Sequence, residues 1–245
     1  MAELTWVGPG GRPDALPVTP LLLDERPAVA YPYAYADLAR QIVGSPAVAL
    51  TLSDPRMTGS GWRAMTAAGQ ARLVEDSQGE LFRAQLLREE LRKYPPSRAL
   101  ADSLILQREH WWYLPRLIVI LDLGGPVPVE PRVDGQSQVL SMWAGGRLHV
   151  DTVRVTDTST DRPHVASLAG RPIPDGPASL LGHDFSVPDL ERWTPWVTAG
   201  EMAGGVFKAS GRPERTTLEP SLSLRQRYRR QRDLERACRA NLPPG

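Results

Sequence analysis

Four histidines and one cysteine are the side chains here best able to hold a metal ion or exchange a proton near neutral pH. His110, His149, His164 and His183 lie far apart in the sequence, and none stands at zinc-type spacing from Cys238. No metal site is expected. The glycine-rich run Gly8-Pro9-Gly10-Gly11 lacks the Gly-Lys-Ser/Thr ending of a phosphate loop, and no Gly-x-Ser-x-Gly elbow presents a nucleophile. His183, within Leu181-Gly182-His183-Asp184, suits a metal or haem ligand, yet a strand-end histidine bonded to Asp184 accounts for it more simply. His110-Trp111-Trp112-Tyr113 is aromatic enough to stack a planar ligand, although packing from a helix face explains it better.

These residues must be positioned by a chain of 245 residues, enough for one large domain or two smaller ones. With 29 basic and 28 acidic residues the charge is nearly balanced, so bulk electrostatics give no reason to expect nucleic acid as a partner. A single cysteine excludes an internal disulfide and favours a reducing compartment. No apolar run approaches the roughly 20 residues a membrane helix needs. The opening MAELTWVGPGGRPDA lacks the basic start and apolar core of a signal peptide. The expectation is therefore a soluble cytoplasmic protein acting on a small molecule, with no membrane contact. The 24 prolines and 21 glycines punctuate the chain as short strands and turns would.

Residues 11–35 read as two short strands, Val18–Leu23 and Ala28–Tyr33, joined by a turn at Asp24-Glu25-Arg26-Pro27. Asp37–Gly44 reads as a short helix with Leu38 and Ile42 on one face. Val48, Leu50 and Leu52 alternate along a strand, and a loop over Asp54–Gly61 leads to a second strand, Trp62–Val74. Gly69 inside that strand signals a bulge or a close approach by another group. Residues 79–114 form a helical block broken at Tyr94-Pro95-Pro96, and Leu117–Leu121 is a buried-strand run. After a polar, Pro/Gly-rich boundary at 124–138, Val139–Trp143 and Leu148–Val155 make a hairpin about Gly145-Gly146. His164–Leu168 and Ile173–Leu181 follow as strands. Beyond Pro220 comes a basic helix with seven arginines from Arg225 to Arg239 against Asp233 and Glu235. It reads as a solvated face, with Leu224, Tyr228, Leu234, Cys238 and Leu242 resting on the body.

One stretch recurs. Residues 46–69 (PAVALTLSDPRMTGSGWRAMTAAG) align without a gap onto 177–200 (PASLLGHDFSVPDLERWTPWVTAG) at an offset of 131. The six identities are Pro46/Pro177, Ala47/Ala178, Leu50/Leu181, Trp62/Trp193, Ala68/Ala199 and Gly69/Gly200. Average residue usage predicts about one or two. Two distant copies point to two related half-domains rather than a solenoid, which needs three or more short units. The division is 1–131 for the first half with its helical insertion at 79–114, 139–220 for the second, and 221–245 for the basic helix.

Three motifs of the first half occur in a telling order: Gly11-Arg12-Pro13, then Gly44-Ser45-Pro46-Ala47-Val48-Ala49-Leu50, then Gly69-Gln70-Ala71-Arg72-Leu73-Val74-Glu75-Asp76. Over about a quarter of the chain, this pattern resembles the flavin-binding split-barrel proteins related to pyridoxamine 5′-phosphate oxidase. The resemblance implies an α+β protein, mainly an antiparallel split β-barrel. Its two tandem related halves would form an internal pseudo-dimer, with a helical hairpin inserted in the first. It implies FMN, or the deazaflavin F420, held at the junction of the halves by a flavin-dependent oxidoreductase. The alternative is a non-catalytic module binding haem or another planar ligand.

A flavin does its own hydride chemistry, so the protein has to supply a flat slot, donors at the ring's polar edge and cations for the phosphate. On the resemblance, Trp62, Tyr33 and Tyr35 line the slot, and Thr19, Thr51 and Thr66 donate. The family often carries a cation for the flavin phosphate where this chain has Leu38, so Arg40 and Arg63 are the substitutes.

Overall fold

The computed structural model describes residues 1–98, 111–157 and 161–243. It is an α+β fold of mostly antiparallel strands. The first sheet contains β1 (Ala2–Val7), β2 (Pro13–Val18), β3 (Leu21–Leu23), β4 (Arg26–Pro32), β5 (Val48–Leu52), β6 (Met65–Asp76) and β7 (Arg116–Leu123), with the short β8 (Val127–Pro128) on β6. Helix α1 (Ala36–Val43) sits between β4 and β5. A turn of π-helix over Phe82–Leu86 and α2 (Leu87–Lys93) sit between β6 and β7. The second sheet contains β9 (Ser137–Ala144), β10 (Arg147–Thr156), β11 (His164–Ser167), β12 (Gly176–Phe185), β13 (Trp193–Ala203) and β14 (Val206–Ala209). Helix α3 (Leu224–Asn241) ends the chain, with Ser223 as its N-cap in a capping box with Gln226.

The second sheet closes on itself in the order β10-β11-β14-β13-β12-β9. The first runs β2-β1-β5-β6-β7-β4-β3. Its two end strands, β2 and β3, are consecutive in the chain and parted only by Thr19-Pro20, so its ends are joined there as well. A proline cannot donate to a ladder, which accounts for the break. If β2 and β3 count as one strand, both sheets follow one order by rank in the chain: first, second, third, sixth, fifth, fourth.

Each sheet encloses its own apolar core. Leu4, Trp6, Val48, Leu50, Ile118 and Ile120 fill the first, with α1 adding Ala39 and Ile42. Leu140, Met142, Val153, Leu180 and Phe207 fill the second. Leu234 and Cys238 of α3 and Leu242 just beyond its end pack on the first core, as the sequence pattern suggests. Leu224 and Tyr228 do not: they are 84% and 62% exposed, because the first turns of α3 stand clear of the body.

Both recurring stretches form antiparallel hairpins, but the ungapped alignment slips. Val48 faces Gly69 in the first hairpin, whereas Ala178 faces Gly200 in the second. The second strands therefore correspond at 131 and the first strands at 130. A slip of one residue turns a strand's side chains to the opposite face. Leu50 accordingly matches Leu180, which lies in the second core, while Leu181 packs outside it with Ala15 and Val139. The strand after the first loop also opens at Met65, leaving Trp62 in the loop. The close approach signalled by Gly69 is real. A Cβ there would sit 2.0 Å from the carbonyl oxygen of Asp122, and at Gly200 one would sit 2.4 Å from that of Lys208. Of the second expected helix of the 79–114 block, which follows the break at Tyr94-Pro95-Pro96, residues 99–110 lie outside the described residues, and Trp111–Tyr113 form a 3-10 turn.

Candidate functional site at the seam

Strand alternation sends Ala2, Leu4 and Trp6 of β1 into the first core and turns Glu3 and Thr5 outward. Ordinarily that face meets water. Here the second sheet lies against it, and Glu3, Thr5, Thr51 and Ser53 are all fully buried. The facing side of the second sheet supplies Ser141, Ser179 and His183, also buried. The seam is thus a buried layer between two apolar cores, apolar where Ala15 meets Val139 and Leu181 and polar elsewhere, and its polar groups need partners because an unpaired buried polar group costs about 1–3 kcal/mol. Thr5 Oγ1 meets Ser141 Oγ at 3.1 Å across it.

At one end of the seam a charged network forms. Glu3 Oε1 accepts from Ser53 Oγ at 2.7 Å and from Arg132 Nη2 at 3.0 Å, and lies 2.9 Å from His183 Nε2. Arg132 Nε donates to Ser53 Oγ at 2.8 Å, and Nη2 comes within 2.6 Å of His183 Nε2. Burial alone would push the Glu3 carboxyl up, but the bond to His183 and the charge of Arg132 outweigh it and hold it below the ordinary carboxylate range. Burial, reinforced by Arg132, lowers the His183 imidazole against the opposing pull of Glu3. The ring is therefore neutral. In one tautomer Nε2 accepts from Arg132; in the other it donates to Glu3. Either way Nδ1, buried, finds no partner among the described residues.

The network opens onto a cavity of 540 Å³, reached by Asp54, Arg56, Arg132, Asp134, His183, Asp184 and Trp196 and flanked by Thr216 and Thr217. Arg56 bonds Asp54 Oδ2 through Nη2 at 2.7 Å and Asp184 Oδ1 through Nη1 at 2.6 Å, with its guanidinium 3.9 Å from the centre of the Phe185 ring. Burial would raise Asp54, but its bonds to Arg56 hold it low. Every nitrogen of both guanidinium groups is bonded: those of Arg56 to the two aspartates, those of Arg132 to Ser53, Glu3, His183 and the Ser137 carbonyl. Each guanidinium still carries N–H groups beyond these bonds. Among the described residues nothing bonds to Asp184 Oδ2, and its side chain is 41% exposed.

Of the residues expected to hold a flavin, the fold brings Thr51 and Thr66 together, Oγ1 to Oγ1 at 2.8 Å across β5 and β6. The others do not converge. Tyr33 is buried in the first core, while Tyr35, two residues on, is 46% exposed under α3. Trp62 and the exposed Arg63 lie in the 53–64 loop, and no ring contact links Trp62 to either tyrosine among the described residues. Thr19 sits in the break between β2 and β3, touching Met1 Sδ. Arg40 points to solvent from α1 beside Asp37. His183 is not bonded to Asp184, as the sequence reading had it, because neighbouring strand residues point to opposite faces: His183 turns into the seam and Asp184 toward Arg56. Sequence reasoning missed Glu3, Asp54, Arg56 and Arg132, and gave Asp184 the wrong partner. The alternation of β1 was the available signal for Glu3, but it reads as a water-facing carboxylate.

The fold and site together define a two-sheet α+β protein with a charged cavity where its polar faces meet. No family model matches the chain, and no curated protein is significantly similar to it. Among solved structures it is similar to a pyridoxamine 5′-phosphate oxidase-related, FMN-binding protein from Nostoc punctiforme PCC 73102, at 14% identity and a TM-score of 0.32, over 80% of this chain and 85% of that one. It is also similar to a haem-binding protein from Mycobacterium smegmatis, at 11% identity and a TM-score of 0.32, over 98% and 92% of the two chains. Likeness at that level carries no functional argument, which has to come from the chain's own geometry.

Proposed function

We propose that this chain is a small-molecule-binding protein of the split-barrel kind, two related halves in one polypeptide, that takes a planar ligand in the cavity at their seam. The halves are residues 1–131, including the insertion at 79–114, and residues 139–220, with 221–245 as an appended helix. The observation that carries the reading is the 540 Å³ cavity, to which β12, β13 and the loop after β5 all contribute. Pocket-forming residues at a junction of two units are the usual place for a ligand.

Matched positions support the two-half reading. Under the offset of 130, Ser53 corresponds to His183 and Asp54 to Asp184, and Leu4 pairs with Leu50 as Leu140 pairs with Leu180. Each matched pair shares a partner: Ser53 and His183 both meet Glu3 Oε1, and Asp54 and Asp184 both hold Arg56. That is how side chains fall near an approximate two-fold axis.

The flavin-dependent oxidoreductase implied by the resemblance needs more. A dianionic phosphate requires cations whose charge is not already neutralised. Arg56 and Arg132 are paired with carboxylates, and Arg40 and Arg63 do not line the cavity. The seam residues do not fit FMN, so the ligand is read as a planar molecule without a phosphate.

The test is to map amide chemical shifts of the full chain during titration with benzamide and, separately, FMN. Perturbations centred on 132–137, 183–184 and 216–218 with benzamide are expected. Benzamide shifts confined elsewhere, or FMN seated tightly at the seam, would overturn the reading.

A further inference from the structure

The near balance of charge over the whole chain hides a local excess. Helix α3 carries seven arginines against Asp233 and Glu235, a net charge of +5. The whole chain is only +1, so everything outside that helix is net −4. Charge so segregated points to an anionic partner.

The arginines are not spread evenly round the helix. Arg225, Arg229, Arg232, Arg236 and Arg239 recur at intervals of four and three, which holds them on one face, and all five are exposed. Fourteen steps of helix make that stripe about 21 Å long. Among the described residues no carboxylate pairs with Arg225 or Arg229. Arg232 and Arg239 pair with Glu235 and Arg236 with Asp233, but at the surface, where such pairs are worth little and can yield to another anion.

Two exposed rings adjoin the stripe. Tyr228 follows Arg225 by three residues and precedes Arg232 by four, and the Arg232 guanidinium lies 5.8 Å from its ring centre. Trp111 has the Arg239 guanidinium 5.3 Å from its ring centre. The apolar side of α3, Leu234 and Cys238, is spent on the first core. What faces out is arginine, with Leu224 and Tyr228 at one end, too little apolar surface for a helix that lies in a bilayer.

We propose that this outward face of α3, with Trp111 beside it, binds single-stranded nucleic acid. The stripe follows the phosphates, each guanidinium offering forked N–H donors, and Tyr228 and Trp111 give unpaired bases a ring to stack on. A duplex keeps its bases stacked on one another and gains nothing from the rings. The surface is independent of the seam cavity.

Fluorescence anisotropy of the full chain with a labelled thymidine oligomer of about 12 nucleotides tests this. Binding is expected at low salt, falling with the logarithm of salt concentration at a slope of about −3 to −4 for five neutralised phosphates. The double variant Arg225→Ala/Arg229→Ala is expected to weaken binding about tenfold or more and to flatten that slope by about 1.4. Tyr228→Ala is expected to weaken it about fivefold or more with the slope unchanged, and Tyr228→Phe to keep it. All three positions are exposed, so the urea midpoint should not move. A duplex bound as tightly as the single strand, with Tyr228→Ala indifferent, overturns the single-strand assignment. No binding at low salt, affinity unaffected by the loss of Arg225 and Arg229, or vesicles rich in phosphatidylglycerol bound in preference to the oligomer would overturn the proposal.

Discussion

Thr5 Oγ1 and Ser141 Oγ lie 3.1 Å apart, both fully buried, on β1 and β9, the strands of the two sheets that face each other across the seam. Neither hydroxyl faces its own sheet's core, so the pair exists only because the sheets dock. Replacing one partner leaves the other buried and unsatisfied, at about 1–3 kcal/mol, whereas removing both removes the mismatch. Thr5→Val and Ser141→Ala are each expected to destabilise the chain, and the double variant by less than their sum, with a coupling of about 0.5–1.5 kcal/mol. Urea unfolding of the four proteins measures it. Strict additivity would place the two hydroxyls out of contact.

Arg132 neutralises a carboxylate that has no access to water, since Glu3 is fully buried and the Arg132 side chain only 6% exposed. Arg132→Met should cost about 3–5 kcal/mol, the penalty for stranding a buried charge. A loss below about 1 kcal/mol, the range of exposed pairs, would mean that the network is solvated.

Stability should fall toward acid in two steps. The imidazole of His183 is held below its ordinary value of 6.5, so the unfolded chain takes up that proton first and the native state loses ground as pH drops through that range. Glu3 is held below its ordinary 4.5, so its contribution is complete above that value and disappears as pH falls through the lower, folded one. Arg132, Asp54 and Ser53 are the other groups facing the pair. His183→Gln should flatten the first step, up to about 1.4 kcal/mol per pH unit, and leave the second. Identical pH profiles for wild type and variant between about pH 6.5 and 5 would show that His183 protonates as freely in the fold as outside it.

Gly182 gives Trp196 its place. A Cβ at residue 182 would stand 2.2 Å from the indole nitrogen, so Gly182→Ala must push the ring away from the strand. A cost of about 1–3 kcal/mol in stability is expected, together with weaker binding of benzamide at the seam. An unshifted denaturation midpoint would show that the ring moves freely.

Arg40→Ala and Arg63→Ala are expected to change stability by less than about 0.5 kcal/mol and to leave seam binding untouched, since both side chains are exposed and among the described residues Arg40 pairs with Asp37 on its own helix. Lost ligand affinity in either variant would return them to the site.

Much of the local structure was legible in residue order. Alternation located β5, an unbroken apolar run located β7, and Gly145-Gly146, both at positive φ, marked the hairpin turn between β9 and β10. The recurrence of Ala-Gly at 68–69 and 199–200 pointed to two like hairpins, and both glycines prove to be sites of close backbone approach. The one-residue slip between the copies was hidden, because identities at Leu50 and Leu181 favoured an ungapped match that the pleat does not keep. β1 was missed altogether, and with it Glu3.

By itself the sequence determined the apolar side of strands that alternate, as at Val48, Leu50 and Leu52, since that follows from a period of two that any neighbouring environment leaves intact. The fate of the other side was decided only in three dimensions. Glu3 and Thr5 carry the local signature of residues facing water, and their burial depends on His183, Arg132 and Ser141, more than a hundred positions away. A hydrogen bond between such distant groups leaves no periodic trace in the chain. It exists only once two finished sheets have come together, and the cavity they enclose has no counterpart in any single stretch.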